Sequence, residues 1–209
     1  MYEIHGIRFY REEVRDLAIA WLALGVAFTL FLEGQFLRQQ PVHAPDIPEL
    51  IRVFGLSMAT VGTGFLLHEI AHKVVAIRFG QVAAFRAQYN MLGLAVLSGV
   101  AGFLIAAPGA VYHRGRITVR QNGLVAVAGP VTNLALAVVF LVPFLLGSGF
   151  VAELGLMGVL INIFLAAFNM IPAGPLDGKS VITWSKAVFA LVFGVSVLSG
   201  VAFLLVFVF

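Results

Sequence analysis

Six long apolar runs, at about 17–37, 51–78, 91–112, 123–147, 151–171 and 187–209, dominate this sequence of 209 residues. A helix needs about 18 consecutive apolar residues to cross the hydrocarbon of a bilayer, and every run reaches that length. Charged residues make up only 11% of the chain and hydrophobic residues 61%, whereas soluble domains carry about 25% charged. Lipid is therefore the solvent for most of this chain. A soluble globular domain, a secreted disulfide scaffold and a disordered tail are excluded. The first run follows Arg8, Arg11 and Arg15; it is too long for a signal-peptide core and lacks a cleavage site, so it reads as a retained span. With no cysteine, thiolate chemistry and cysteine metal sites are absent. The net charge of +3 belongs to cations that mark cytoplasmic loops in membrane proteins, so no nucleic acid partner is expected.

The expected fold is an all-α polytopic membrane protein of five to six transmembrane helices. The run 91–112 decides the count. Gly93, Gly99, Gly102, Pro108 and Gly109 make it a poor helix former. If it crosses, the cations divide about evenly between the two sides. If it re-enters or forms strands, Arg8, Arg11, Arg15, Lys73, Arg78, Arg86, Arg114, Arg116, Arg120, Lys179 and Lys186 share one side, and Arg38 and Arg52 face the other. The positive-inside rule favours that second arrangement, with the N-terminus cytoplasmic. Non-spanning backbone at that depth needs a covering of protein or a wet cavity.

Ionisable residues inside spans are costly and mark function. Glu69 lies deep in the run 51–78, within His68-Glu69-Ile70-Ala71-His72. Positions i and i+4 share a helix face, so both imidazoles can reach one metal ion. Glu69 stands beside them, placed to take a proton from water. Mutual hydrogen bonding among these three groups is the bland alternative, but three ionisable groups in lipid call for a compensating ion. His5, His43 and His113 read as ordinary surface histidines.

A catalytic zinc site has three protein ligands and an open position. Asp177 is the candidate third ligand. It follows the run 151–171 in Asn169-Met170-Ile171-Pro172-Ala173-Gly174-Pro175-Leu176-Asp177-Gly178, where proline and glycine end the helix and bend the backbone. A plain surface turn is the competing reading. His72 and Asp177 each lie near the C-terminal end of a run, so they share a membrane side only if those two spans are parallel. That holds with 123–147 as the single span between them and fails if 91–112 also crosses. Ser57, Thr60, Gly64 and His68 form a stripe of small and polar residues suited to helix packing or to one wall of a polar cavity.

His68-Glu-Ile-Ala-His72, Gly129-Pro130-x-x-Asn133 and Asn169-x-x-Pro172-x-x-Pro-Leu-Asp177-Gly178 together resemble the site-2 proteases, zinc metalloproteases that cut peptide bonds inside the membrane. The resemblance takes in most of 51–178. It implies one Zn2+ per chain held by His68, His72 and Asp177, Glu69 as general base, and Asn169 and Asn133 positioning substrate. The implied partners are transmembrane protein substrates in the bilayer, and the implied organisation is a single integral-membrane protease domain over 1–209, with peripheral spans at about 17–37 and 187–209. PDZ and CBS domains, frequent in the family, find no room in this chain. The competing class is a membrane metal-ion transporter or binding protein using the same His/Asp cluster.

Overall fold

A computed structural model describes residues 2–4, 6–39, 47–104 and 108–207, and the side chains of these residues apart from Ile4 and 34–39. His5, His43, Pro41 and Pro45 lie outside the described residues. The protein is an α-helical, polytopic membrane protein with two small antiparallel sheets. Five described helical stretches are long and apolar enough to cross a bilayer: Arg11–Glu33, Ile47–Arg78, Val119–Leu146, Phe150–Asn169 and Lys186–Phe207. The chain divides into two compact units, Met1–Leu66 with Ala84–Tyr112, and Leu67–Ala83 with His113–Phe209.

In the first unit, a hairpin of β1 (Tyr2–Ile4) and β2 (Ile7–Phe9) pairs Tyr2 with Phe9 and Glu3 with Arg8. Gly6 supplies the positive φ of its turn. α1 (Arg11–Gln39) follows, then α2 (Ile47–Ser57), a π-helical turn (Met58–Gly62) and the start of α3 (Thr63–Arg78). The π turn widens the helix where α1 packs. Gly62 leaves room for the Trp21 indole, whose Nε1–H donates to the Met58 carbonyl at 3.1 Å. Thr60 is buried and donates to its own helix at Leu56, and Ser57 is buried too; this part of the polar stripe serves packing.

Between the second and third spans the chain forms β3 (Val82–Ala87), α4 (Tyr89–Ala101) and β4 (Gly109–Arg114), with β3 and β4 paired. The expected re-entrant or strand-like element is thus both strand and helix. α4 spans about 20 Å at 1.5 Å per residue, against a hydrocarbon core of about 30 Å, so it is too short to cross. The weak helix propensity of its glycines is overridden by packing. Gly99 lets α4 approach α1 so closely that a Cβ would collide with the Ala27 carbonyl. The helix ends at Gly102 in the left-handed conformation. His113 lies in β4, half-buried, rather than in a loop.

The second unit is built on α5 (Val119–Leu146), α6 (Phe150–Asn169), α7 (Asp177–Trp184) and α8 (Lys186–Phe207), together with α3 from Leu67 onward. Thr118 caps α5 in a reciprocal capping box with Gln121. Where α5 and α6 cross, Gly155 sits against the Phe144 backbone and Gly158 against the Phe140 ring. Small residues at a crossing substitute close van der Waals contact for the hydrophobic drive that lipid cannot supply. One apolar cluster gathers Ala126, Met170, Val181 and Val192, and another gathers Ala137, Val159, Ile163 and Phe203. The first fixes the bend after α6, and that bend positions Asp177.

Candidate metal centre

α3 presents His68 and His72 one turn apart, both buried, with ring centroids 4.6 Å apart and planes nearly perpendicular. Their Nε2 atoms face each other at 3.0 Å. Asp177 enters from the start of α7. After α6 the chain turns through Ala173 N–H to Ile171 O and Leu176 N–H to Ala173 O, with Gly174 at positive φ. Gly178 packs on the Met170 carbonyl, where a side chain would collide. That tight bend brings Asp177 Oδ2 to 3.2 Å from His68 Nε2 and 3.3 Å from His72 Nε2.

The outward-facing ring nitrogens fix the chemistry of the inward ones. His72 Nδ1 lies 2.8 Å from the Val125 carbonyl, which can only accept, so Nδ1 carries the proton and Nε2 keeps its lone pair. His68 Nδ1 lies 2.7 Å from Asn133 Oδ1 and donates likewise. Two nitrogen lone pairs and a carboxylate oxygen therefore converge, and the buried Asp177 Oδ2 receives no hydrogen bond of good geometry. Such an arrangement repels itself unless a cation sits among the three atoms. Zinc–ligand bonds of 2.0–2.2 Å at tetrahedral angles imply ligand separations of about 3.3 Å. The observed separations of 3.0, 3.2 and 3.3 Å match that spacing. The donor set, two imidazoles and a carboxylate, fits Zn2+ with a position left open.

Among the described residues, this is the group of three ligand side chains placed to hold a metal ion. Glu69 is buried beside it on α3. Asn133 is fully buried against His68. Asn169 is half-buried, its amide donating to Leu165 O within α6 at 2.9 Å. Sequence reasoning missed Asn162, fully buried and accepting from Asn133 at 2.9 Å. It also missed the Val125 carbonyl, and it met Gly129 only as part of a motif. A Cβ on Gly129 would lie 2.5 Å from His68 Nε2 and 2.6 Å from His72 Nε2. An asparagine inside an apolar span was a signal for Asn162; nothing in the sequence signals a backbone carbonyl as partner.

Fold and site together define a multi-pass membrane protein with a buried His–His–Asp centre suited to zinc. The protein named "Putative zinc metalloprotease MJ0611" from Methanocaldococcus jannaschii is 38% identical over 189 residues, covering 88% of this chain and 91% of that relative. "Putative zinc metalloprotease YwhC" from Bacillus subtilis is 33% identical over 143 residues, covering 59% of this chain and 65% of that relative. The chain belongs to this zinc metalloprotease family. No family model matches it, and no solved structure matches it significantly.

Proposed function

We propose that this protein is an intramembrane protease of the site-2 type, hydrolysing peptide bonds within or near transmembrane segments of membrane-protein substrates. The observation that carries the reading is the convergence of three lone pairs, from His68, His72 and Asp177, at tetrahedral spacing inside a span-rich unit. His68, His72 and Asp177 would hold one Zn2+ per chain. Zinc, when bound, supplies Lewis acidity, which makes water acidic near neutral pH and polarises a scissile carbonyl. Glu69 accepts the proton of the attacking water and delivers it to the leaving amine nitrogen. The Val125 carbonyl and Asn133 hold the rings in the tautomer this requires. Asn169 and Asn133 help to position substrate near the centre, Asn133 having in addition its bond to His68. The whole chain, 1–209, acts as one integral-membrane protease domain with its core at 51–178. Its N-terminus and active-site side are cytoplasmic.

A transporter would place ligands at successive sites along a path, whereas the described residues gather three ligand side chains at one place. The test is zinc stoichiometry and cleavage of a panel of single-span substrates by purified protein. One zinc per chain is expected in the wild type. Glu69→Gln keeps the metal and loses activity by about 10²–10⁴-fold, the usual range for removing a general base; Asp177→Ala loses the metal itself. Full activity in Glu69→Gln would remove the general-base role. Zinc flux into sealed vesicles without proteolysis would put the transporter in its place.

A further inference from the structure

The histidine that Asn133 touches is held by a longer device than one hydrogen bond. From His68 Nδ1 the contacts run to Asn133 Oδ1 at 2.7 Å, from Asn133 Nδ2 to Asn162 Oδ1 at 2.9 Å, and from Asn162 Nδ2 to the Gly158 carbonyl at 2.9 Å. Both asparagines are fully buried. An amide can present either its oxygen or its nitrogen in a given direction, so the direction of such a relay must be set somewhere. It is set at the far end. The Gly158 carbonyl only accepts, so Asn162 must turn its nitrogen to it and its oxygen to Asn133. Asn133 must then turn its nitrogen to Asn162 and its oxygen to His68. His68 must therefore carry its proton on Nδ1 and leave Nε2 bare.

We infer that Asn162 is a positioning residue for the metal centre: anchored on Gly158, it sets the tautomer of His68 through Asn133 and so keeps Nε2 open to the ion. This rests on the zinc reading above. The state it excludes is specific. If Asn133 turned round, its amide nitrogen would face Nδ1, the ring proton would move to Nε2, and that N–H would donate to Asp177 Oδ2, 3.2 Å away. Two of the three ligands would then satisfy each other and compete with the metal. His72 needs no such relay, because its Nδ1 meets a backbone carbonyl directly.

Two near-isosteric substitutions separate this role from simple packing. Asn162→Leu fills the space and removes the acceptor that orients Asn133. Asn162→Asp, ionised or not, still offers Asn133 an oxygen. Zinc affinity, read by chelator competition on the full-length protein, falls about tenfold to hundredfold in Asn162→Leu, the usual effect of losing a group behind a metal ligand. Asn162→Asp retains most of the affinity. A packing role predicts the reverse order, since the apolar side chain suits an apolar span better. The second readout is nuclear magnetic resonance of ¹⁵N-histidine-labelled protein with His5, His43 and His113 replaced by Gln. The protected Nδ1–H of His68 is lost in Asn162→Leu while that of His72 persists. Unchanged zinc affinity and an unchanged His68 signal in Asn162→Leu would overturn the inference. A wild type that takes up no zinc would instead sink the metalloprotease reading, and the His68 signal in metal-free protein would still decide the relay.

Discussion

Gly129 faces the metal centre from α5 with nothing but a hydrogen, and both imidazoles occupy the space that a side chain would take. The rings are held from behind by Asn133 and the Val125 carbonyl, so they cannot retreat without breaking those bonds. Gly129→Ala is expected to leave the protein folded and to weaken zinc binding by about tenfold to hundredfold, as disturbance of ligand positioning does. Gly194→Ala in α8, where a Cβ meets open space, is the control; it keeps full zinc affinity and is neutral or slightly stabilising by helix propensity. Equal affinity in both variants, measured by chelator competition, would show that the rings tolerate displacement. The pairing of His68 with His72 was legible in the sequence because four-residue spacing on a helix is a local rule. Asp177 was legible only with topology added. The link from Asn162 to His68 was not, because it runs through a partner 29 residues away across a helix crossing that no local pattern encodes.

At the scale of elements, the least foreseen feature is how β3 is closed. One edge of the strand pairs with β4; on the other, α1 supplies carboxylates where a further strand would supply carbonyls. Glu13 Oε1 accepts from Phe85 N–H at 3.1 Å and Asp16 Oδ2 from Ala87 N–H at 3.2 Å, while Glu13 Oε2 accepts from Tyr10 N–H at 3.2 Å. Tyr89 Oη donates to Asp16 at 2.6 Å. Nothing local in the sequence announces that a strand 70 or so positions later needs these acids. Their i, i+3 spacing on a helix matches alternate outward N–H groups of a strand, about 6.6 Å apart at 3.3 Å per residue. Glu13→Ala would leave the buried Phe85 N–H without that acceptor, at a cost of about 1–3 kcal/mol, and Glu13→Gln, which keeps an acceptor oxygen, would cost less. Hydrogen exchange at the Phe85 and Ala87 amides, with a denaturation midpoint for each variant, reports both. Unchanged protection at Phe85 in Glu13→Ala would mean that the strand edge is closed by other means.

For the molecule as a whole, the number of crossings follows from one short distance. His68 and His72 lie in the span that ends at Arg78, and Asp177 follows the span that ends at Asn169. Asp177 Oδ2 stands 3.2 Å from His68 Nε2, so the chain between Arg78 and Asp177 must cross the bilayer an even number of times. α5 and α6 are two crossings. A third by α4 would put the carboxylate at the opposite face from the rings, and α4 is also too short to span. Five helical stretches among the described residues remain long and apolar enough to span. Within the second unit, Arg78, Arg114, Arg116, Arg120, Lys179 and Lys186 then share a side, and the proposed orientation, argued from the positive-inside rule, takes that side as cytoplasmic. The absence of cysteine from the sequence makes this directly measurable with single-cysteine variants. In sealed right-side-out vesicles, a membrane-impermeant maleimide should reach Ile47→Cys and Ser148→Cys at once. Arg114→Cys and Lys179→Cys should react only after the membrane is opened. Arg114→Cys and Lys179→Cys reacting from opposite sides would contradict the even crossing count, and with it the approach of Asp177 to the histidines. Both reacting from outside would keep the fold and invert its orientation, moving the charge-rich side and the proposed active site to the exterior.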